Sequence, residues 1–482
     1  MNVLFAASEC TPFIKTGGLA DVIGALPKAL NKIGIQVSVI LPKYGDIPLH
    51  YKERMTFIKS IDVPLGWRHQ YCGIEKLEED GVIYYFLDSE YYFKRHGIYG
   101  YFDDGERYAF FSRAVLEALP HLDHKTEVLH SHDWQTGPIS VLLKAHYQSQ
   151  PFYQDIKTLF TIHNLKYQGV FPKSVLSELL DLSERYFHID GLEFYGNVSY
   201  LKAGLAYSDY LTTVSPTYAS EIQSAYYGEN LDGFLRLKAE QLKGIVNGID
   251  DTVYNPKQDP NLFAPYENYD GKLENKRKLQ EMLKLPVDQE IPILSMVTRL
   301  VEQKGLDLFF RVAREIISLN VQIVVLGTGE QQYELAFKEL ALQYPDKVST
   351  QLYFDESLSR KIYAGSDIFL MPSKYEPCGI GQLLAFRYGC LPIVRETGGL
   401  KDTVIPYNEF TDEGNGFSFS HYNAHDFLYT IERAVWFYRF QPQKWKRLVE
   451  RAMGLDFSWH SSALEYKKIY DSFTNQGTQT LV

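Results

Sequence analysis

The sequence predicts an α/β chain of two doubly wound parallel-sheet domains that face one cleft, and three observations carry that expectation. Its 482 residues exceed what one hydrophobic core usually supports. A strand–helix–strand alternation begins twice, once at Val3 and again at Ile293. The pattern Thr-Gly-Gly-Leu-x-Asp occurs at 16–21 and again at 397–402, each time between an apolar strand and a helix. The composition is that of an ordinary globular protein, 45% hydrophobic and 23% charged. A net charge of −11 argues against nucleic acid or an acidic membrane as partner. Cys10, Cys72, Cys378 and Cys390 are too scattered for a disulfide framework or a Cys₄ metal site. The segment Met1–Ala7 has no basic stretch and too short an apolar run for a signal peptide or a membrane span, so a cytoplasmic location is expected.

In chain order, a strand over Val3–Ala7, a helix over Leu19–Ile33 and a strand over Gln36–Leu41 form the first βαβ unit. The turn between its strand and helix carries Lys15, Gly17, Gly18 and Asp21. It has neither the Gly-x-Gly-x-x-Gly spacing of dinucleotide sites nor the Gly-x-x-x-x-Gly-Lys-Ser/Thr of phosphate loops. The stretch 44–102, rich in Tyr and Gly, reads as an irregular insertion with short strands such as Val82–Leu87. A helix over Glu106–Leu119 and a strand over Thr126–Leu129 deliver His130-Ser131-His132-Asp133-Trp134-Gln135, in which His-x-His-Asp has metal-ligand chemistry but lacks a further cluster to complete a site. The strand Lys157–Ile162 delivers His163 and Asn164, placed at a strand exit where ligands are met. Helices at 198–206 and 216–224 flank a strand at 210–214, and Asn247-Gly248 begins a hinge and a polar linker reaching Pro265.

The second half repeats the alternation: a strand at 293–297, a helix at 305–319, a strand at 322–326 and a helix at 330–343. Arg299 and Lys304 lie before one helix N-terminus, where two cations are unfavourable unless an anion joins them. Phe354 follows in a loop and reads equally as a ligand-stacking ring or a core residue. The strand at 366–371 leads through Glu376-Pro377-Cys378-Gly379-Ile380-Gly381 into a helix at 382–387, a strand-to-helix connection stiffened by Pro372 and Pro377. Thr397, Gly398 and Gly399 then repeat the first turn, giving each domain a similar backbone cradle for an anion. Helices at 426–440 and 461–470 follow, and 475–482 reads as a frayed tail.

Five of these segments, in order, resemble the signature motifs of bacterial glycogen synthases and plant starch synthases: Lys15-Thr16-Gly17-Gly18-Leu19, His163–Gly169, Arg299–Gly305, Glu376–Gln382 and Thr397–Leu400. The resemblance implies the GT-B fold, two Rossmann-like domains, and retaining transfer of glucose from ADP-glucose to the nonreducing end of an α-1,4-glucan. It implies domains at 1–246 and 247–457, with a helix at 458–475 packing back on the first. Catalytic roles fall to Glu376, Arg299, Lys304 and His163. Substrate binding falls to Lys15, Gly17, Gly18, Asp21, Asp133, Trp134, Asn164, Asn247, Phe354, Cys378, Gly379, Ile380, Gly381, Thr397, Gly398 and Gly399. No cofactor and no metal are expected, because the chain's own cations meet the donor phosphates; the oligomeric state is unspecified. Two positions depart from the family pattern: Gln135 stands where His is common and Gly381 where Thr, Ser or Ile is usual. The alternatives are a weakly catalytic glucan-binding relative and a transferase that uses UDP-glucose; phosphorolysis would ordinarily need a lysine-bound pyridoxal phosphate, and no sequence feature identifies such a lysine.

Overall fold

The computed structural model describes residues 1–475, so most of the expected frayed tail, 476–482, lies outside the described residues. The chain divides into two compact units: Met1–Val214 with Ala219–Ile245 and the segment from Trp459 onward, and Val246–Ser458 with Ser215–Tyr218.

The first unit is built on a nine-stranded sheet. From edge to edge its strands are Leu242–Gly244, Tyr210–Thr213, Lys157–Ile162, Val128–His132, Asn2–Ala6, Gln36–Pro42, Val82–Asp88, Arg68–Glu79 and Thr56–Leu65. The first seven run parallel, and the apolar runs of the central ones are buried on both faces, as a sheet covered by helices on each side requires. The strand order reverses between Asn2–Ala6 and Val128–His132, and a crevice for ligands opens at the carboxyl ends of strands at such a switch point.

The stretch 44–102 is not an irregular insertion. Val82–Asp88 pairs parallel to Gln36–Pro42 as a full member of the sheet, and the long antiparallel hairpin of Thr56–Leu65 and Arg68–Glu79 extends the edge. That hairpin escapes a hydrophobic-alternation reading because much of its outer strand faces solvent and carries polar residues such as Lys59, Ser60 and Asp62. The strand that begins at Val128 also runs three residues past the expected end, so His130 and His132 are strand residues with their rings 4.1 Å apart on one face. The helix Trp459–Asn475 buries Trp459, Tyr466, Ile469 and Tyr470 in this unit's core.

The second unit holds a six-stranded, wholly parallel sheet: Val348–Gln351, Gln322–Leu326, Ile293–Val297, Ile368–Met371, Leu391–Arg395 and Phe417–Phe419. In order of appearance these strands run 3-2-1-4-5-6, the dinucleotide-fold order, with the switch point between Ile293–Val297 and Ile368–Met371. The expected helix at 305–319 is two, Leu306–Arg311 and Ala313–Ser318, because the Val312 N–H turns back to the Phe309 carbonyl at 3.1 Å and closes the first. The expected linker to Pro265 is packed rather than free. Asp259 accepts from the Tyr388 hydroxyl at 2.5 Å and pairs with Arg360 at 3.3 Å, and the Tyr266 hydroxyl donates to the Tyr388 carbonyl at 2.7 Å. Among the described residues no helix is long and apolar enough to cross a membrane.

Candidate active site

Each unit gathers predicted residues at its own switch point. In the first, the chain leaving Asn2–Ala6 carries Glu9, whose buried carboxylate organises the following turn. Its Oε2 accepts from the Thr16 N–H, from the Thr16 hydroxyl at 2.9 Å and from the Gly17 N–H at 3.2 Å. The helix Gly18–Lys32 starts directly after this braced turn. Lys15 points to Asp21 at 2.7 Å, so the lysine and the aspartate of the motif form one ion pair. Burial raises the Glu9 carboxyl above its usual range, against the pull of its bonds from Thr16 and Gly17.

Just past the end of the neighbouring strand, Asp133 has a φ of +59°, a conformation in which only glycine is at ease. The strain aims its carboxylate at the next strand exit, where Oδ1 accepts the His163 N–H at 2.7 Å. Burial pushes the Asp133 carboxyl up to about 7; the His163 and Asn164 N–H groups oppose the shift and the charge of Glu9 adds to it. The His163 ring meets His132 nitrogen to nitrogen at 3.0 Å, and burial drives its pKa down to about 3. Behind them His130 bonds the Tyr470 hydroxyl at 2.9 Å and the Thr161 hydroxyl at 2.6 Å. These imidazoles are neutral near pH 7, with His130 and His132 also pressed well below their ordinary range by burial. No group of three or more His, Cys, Asp or Glu among the described residues is placed to hold a metal ion.

Trp134 lies edge-on to Tyr108 at 5.1 Å, and Gly169 sits so close to its indole that a Cβ there would fall 2.3 Å from the ring. The first unit thus brings together Lys15, Gly17, Gly18 and Asp21 in one turn, and Asp133, His163 and Asn164 in a second cluster with Trp134 beside it.

In the second unit, the loops leaving the two switch-point strands carry the remaining motifs. Lys304 Nζ donates to Glu376 Oε2 at 2.7 Å, and the Ser373 hydroxyl donates to the same oxygen at 3.0 Å. The side chains are 16% and 9% exposed, so this is a largely buried ion pair. It answers in part the question the sequence raises about two cations before one helix: the anion beside Lys304 is the protein's own carboxylate. Arg299 is exposed on the same loop.

The repeated Thr-Gly-Gly turn braces the Glu376 loop from below. The Gly399 N–H donates to the Glu376 and Pro377 carbonyls at 3.2 and 3.1 Å, and a Cβ on Gly398, whose φ is +46°, would fall 1.9 Å from the Glu376 carbonyl oxygen. The expected pair of anion cradles is therefore filled at least partly from within: Thr16 and Gly17 serve Glu9, and Gly399 serves the 376–377 backbone. Cys378 is buried and accepts the Asn247 N–H at 3.4 Å, and burial pushes its thiol up to about 12. Asn247 itself is buried with its Oδ1 unpartnered among the described residues. Gly379 and Ile380 connect this loop to the helix Gly381–Arg387. Phe354 is 76% exposed, which removes the core reading and leaves its ring available.

Each unit also matches a family model. Residues 2–237 match the family model described as the starch synthase catalytic domain, and residues 278–436 match glycosyl transferases group 1. The chain is 56% identical over 479 residues to a glycogen synthase of Desulforamulus reducens, covering 99% of this chain and all of that one. The chain belongs to the glycogen synthase family. It is accordingly a glycosyltransferase, and its fold is of the GT-B type. A Bacillus cereus glycogen synthase is 56% identical over 474 residues, covering 98% of this chain and 99% of that one. The catalytic domain of starch synthase IV from Arabidopsis thaliana, solved bound to ADP and acarbose, superposes with a TM-score of 0.91 at 35% identity, over 98% of this chain and 99% of that one. A sucrose-phosphate synthase from Thermosynechococcus elongatus, at 18% identity and a TM-score of 0.62 over 98% of this chain and 99% of that one, shares the fold.

Of the two departures from the glycogen synthase pattern, Gly381 faces Phe369, whose ring would lie 3.0 Å from an added Cβ, so a larger residue requires that ring to shift. Gln135 is buried, with its Oε1 unpartnered among the described residues, and nothing in the structure explains the departure there. Sequence reasoning missed Glu9, Ser373 and the contact between the His130 and His132 rings. The one available signal for Glu9 was its place three residues beyond a buried strand at the head of the motif.

Proposed function

We propose that the chain transfers glucose from ADP-glucose to the nonreducing end of an α-1,4-glucan such as glycogen, with retention at the anomeric carbon, in the cytoplasm. The observation that carries this reading is the Lys304–Glu376 pair at the second unit's switch point, with Arg299 on the same loop. The end-to-end likeness to glycogen synthases and the ADP bound by the Arabidopsis relative support it.

The reaction breaks the bond between the anomeric carbon and the diphosphate and joins that carbon to an acceptor hydroxyl. The departing diphosphate gains negative charge, and fixed cations that hold it more tightly as the charge grows lower the barrier. Arg299 and Lys304 take this role, and Lys15, steadied by Asp21, is assigned to the same donor. The charge that a metal supplies in other sugar-nucleotide enzymes falls to these side chains. The sugar gains oxocarbenium character, which the nearby Glu376 carboxylate stabilises while positioning its hydroxyls. The acceptor's proton passes to a phosphate oxygen of the leaving group on the same face, so the new bond forms with retention and ADP departs. Asp133, Trp134, His163 and Asn164 are assigned to glucosyl groups, Phe354 to the base, and the 378–381 and 397–399 backbones to the donor. His163 acts as a neutral ring or through its carbonyl, because burial denies it a proton near pH 7.

The test is incorporation of labelled glucose into glycogen from ADP-glucose and, separately, from UDP-glucose, beside Lys304→Ala and Glu376→Ala. Incorporation that prefers ADP-glucose and collapses in both variants is expected. Preference for UDP-glucose would overturn the donor assignment, and binding of glycogen without any incorporation would overturn the reaction.

A further inference from the structure

Gln382 closes the Glu376–Gln382 motif, is fully buried and has no part in the assignments above. We infer that it is a positioning residue for the donor diphosphate: its amide turns the Cys378 and Gly379 carbonyls inward and so turns the next two N–H groups of the loop outward to a phosphate. The inference rests on the function proposed above and specifies what aims the backbone that the donor meets.

The geometry is built from consecutive peptide groups. Gln382 Nε2 donates to the Cys378 carbonyl at 3.0 Å and to the Gly379 carbonyl at 3.0 Å. The two carbonyls before them are also held by donors of the same unit: the Gly399 N–H gives to those of Glu376 and Pro377, and the Ser215 hydroxyl gives to that of Pro377 at 2.7 Å. Four successive carbonyls of the loop are thus engaged by the protein itself. Among the described residues the one cis peptide bond is Thr11–Pro12, so each peptide here is trans and its N–H points away from its carbonyl. Both carbonyls held by Gln382 converge on one nitrogen, so the Gly379 and Ile380 N–H groups of the same two peptides point away from it. Neither N–H makes a hydrogen bond among the described residues. Successive backbone N–H groups presented in this way form a concavity for an anion.

The side chain suits this task. A primary amide brings two hydrogens and no charge, so it holds two carbonyls without competing for the phosphate. Its Oε1 is sealed and has no partner among the described residues, so the amide is oriented by what it donates to. A buried acceptor left without a donor costs free energy, and the bonds made by Nε2 offset that cost. Gly379, with a φ of +76°, lies against the same amide, and an added Cβ there would fall 2.5 Å from Gln382 Oε1. Nε2 also donates to Thr403 Oγ1 at 3.2 Å, and that hydroxyl donates in turn to the Gly399 carbonyl at 2.6 Å. Gln382 therefore ties the 378–381 loop to the Thr397-Gly398-Gly399 turn, the two backbone segments assigned to the donor.

The experiment measures ADP and adenosine binding by calorimetry to the wild-type protein, Gln382→Met and Gln382→Glu. Methionine keeps the length and removes the donor; glutamate keeps the shape and sets a carboxylate against the carbonyls. Adenosine shares the base and ribose but has no phosphate, so a residue that merely holds the unit together moves both ligands alike. ADP binding is expected to weaken about tenfold in Gln382→Met and further in Gln382→Glu, with adenosine within about twofold of wild type. An equal loss for both ligands, or ADP binding within about twofold of wild type in Gln382→Met, overturns the inference. A second measurement needs no variant and stands if both fail to fold. In the wild-type protein, hydrogen exchange at the Gly379 and Ile380 amides is expected to slow when ADP is added and to stay unchanged with adenosine. ADP that binds without slowing these two amides overturns the positioning role alone, and a wild-type protein that binds no ADP overturns the donor assignment together with it.

Discussion

Replacing Lys304 by methionine separates the structural from the chemical work of one side chain. The ammonium lies 2.7 Å from Glu376 Oε2 in a largely buried setting, so its loss strands a carboxylate that keeps only the Ser373 hydroxyl at 3.0 Å on that oxygen. Removing one partner of a buried ion pair costs about 3–5 kcal/mol, and the surviving hydroxyl puts the expectation near the lower limit. For a domain of this size about 3 kcal/mol corresponds to a fall in melting temperature of roughly 6–12 °C. The same change removes a cation from the leaving group, for which a rate loss of about 10²–10³ is expected. Glu376→Gln in the Lys304→Met background removes the stranded charge and restores most of the melting temperature, while glucose transfer stays low. Thermal unfolding and labelled-glucose incorporation on the single and double variants measure the two effects separately. A Lys304→Met protein that melts within about 2 °C of wild type refutes the buried-pair argument. A double variant that regains transfer refutes the leaving-group role.

Acid should weaken the first unit. His130, His132 and His163 are held neutral by burial, the last with a pKa of about 3, so the unfolded chain binds more protons and stability is lost as pH falls below the ordinary histidine value of about 6.5. Asp133, raised to about 7, works in the opposite sense across about pH 4–7, and Glu9, also raised by burial, adds to it, but these two carboxyls oppose three imidazoles. Urea midpoints are therefore expected to be lower at pH 5 than at pH 7, and Asp133→Asn should gain stability relative to wild type as pH rises from 5 to 8; a flat difference would count against the raised Asp133 carboxyl. Gly398→Ala meets the Glu376 carbonyl oxygen at 1.9 Å from a left-handed backbone, so the Glu376 loop must shift, and transfer should fall by more than tenfold, readable in the same incorporation assay. Tyr470→Phe removes the hydroxyl 2.9 Å from His130 Nδ1 and should cost about 1 kcal/mol in denaturant unfolding.

The parallel strands were legible because each is a short apolar run between turn residues, and the motif residues were legible because they follow those runs at the exits where a doubly wound sheet meets ligands. Arg299, Lys304 and Glu376 could be placed near their helices on that basis. Their pairing could not: Lys304 and Glu376 are 72 residues apart, and only the adjacency of Ile293–Val297 and Ile368–Met371 brings their loops together. The hairpin at 56–79 was hidden because its outer strand faces water and lacks an apolar alternation. Glu9 was hidden because a single carboxylate after a strand reads as surface until the turn is seen to fold over it. Phe354 was ambiguous because an aromatic residue satisfies either reading, and exposure decides between them.

The helix Trp459–Asn475 imposes an order on synthesis. The second unit comes mostly from the continuous stretch Val246–Ser458, whereas the first lacks a wall until its last helix has been made. At ~5–20 residues per second, the roughly 225 residues from Ile245 to Tyr470 occupy a ribosome for about 11–45 s. Through that interval the apolar flank that later receives Tyr466, Ile469 and Tyr470 stands bare on a nascent chain. The half of the protein translated first is thus the half completed last, and holding it unaggregated meanwhile is work for the cell's chaperones.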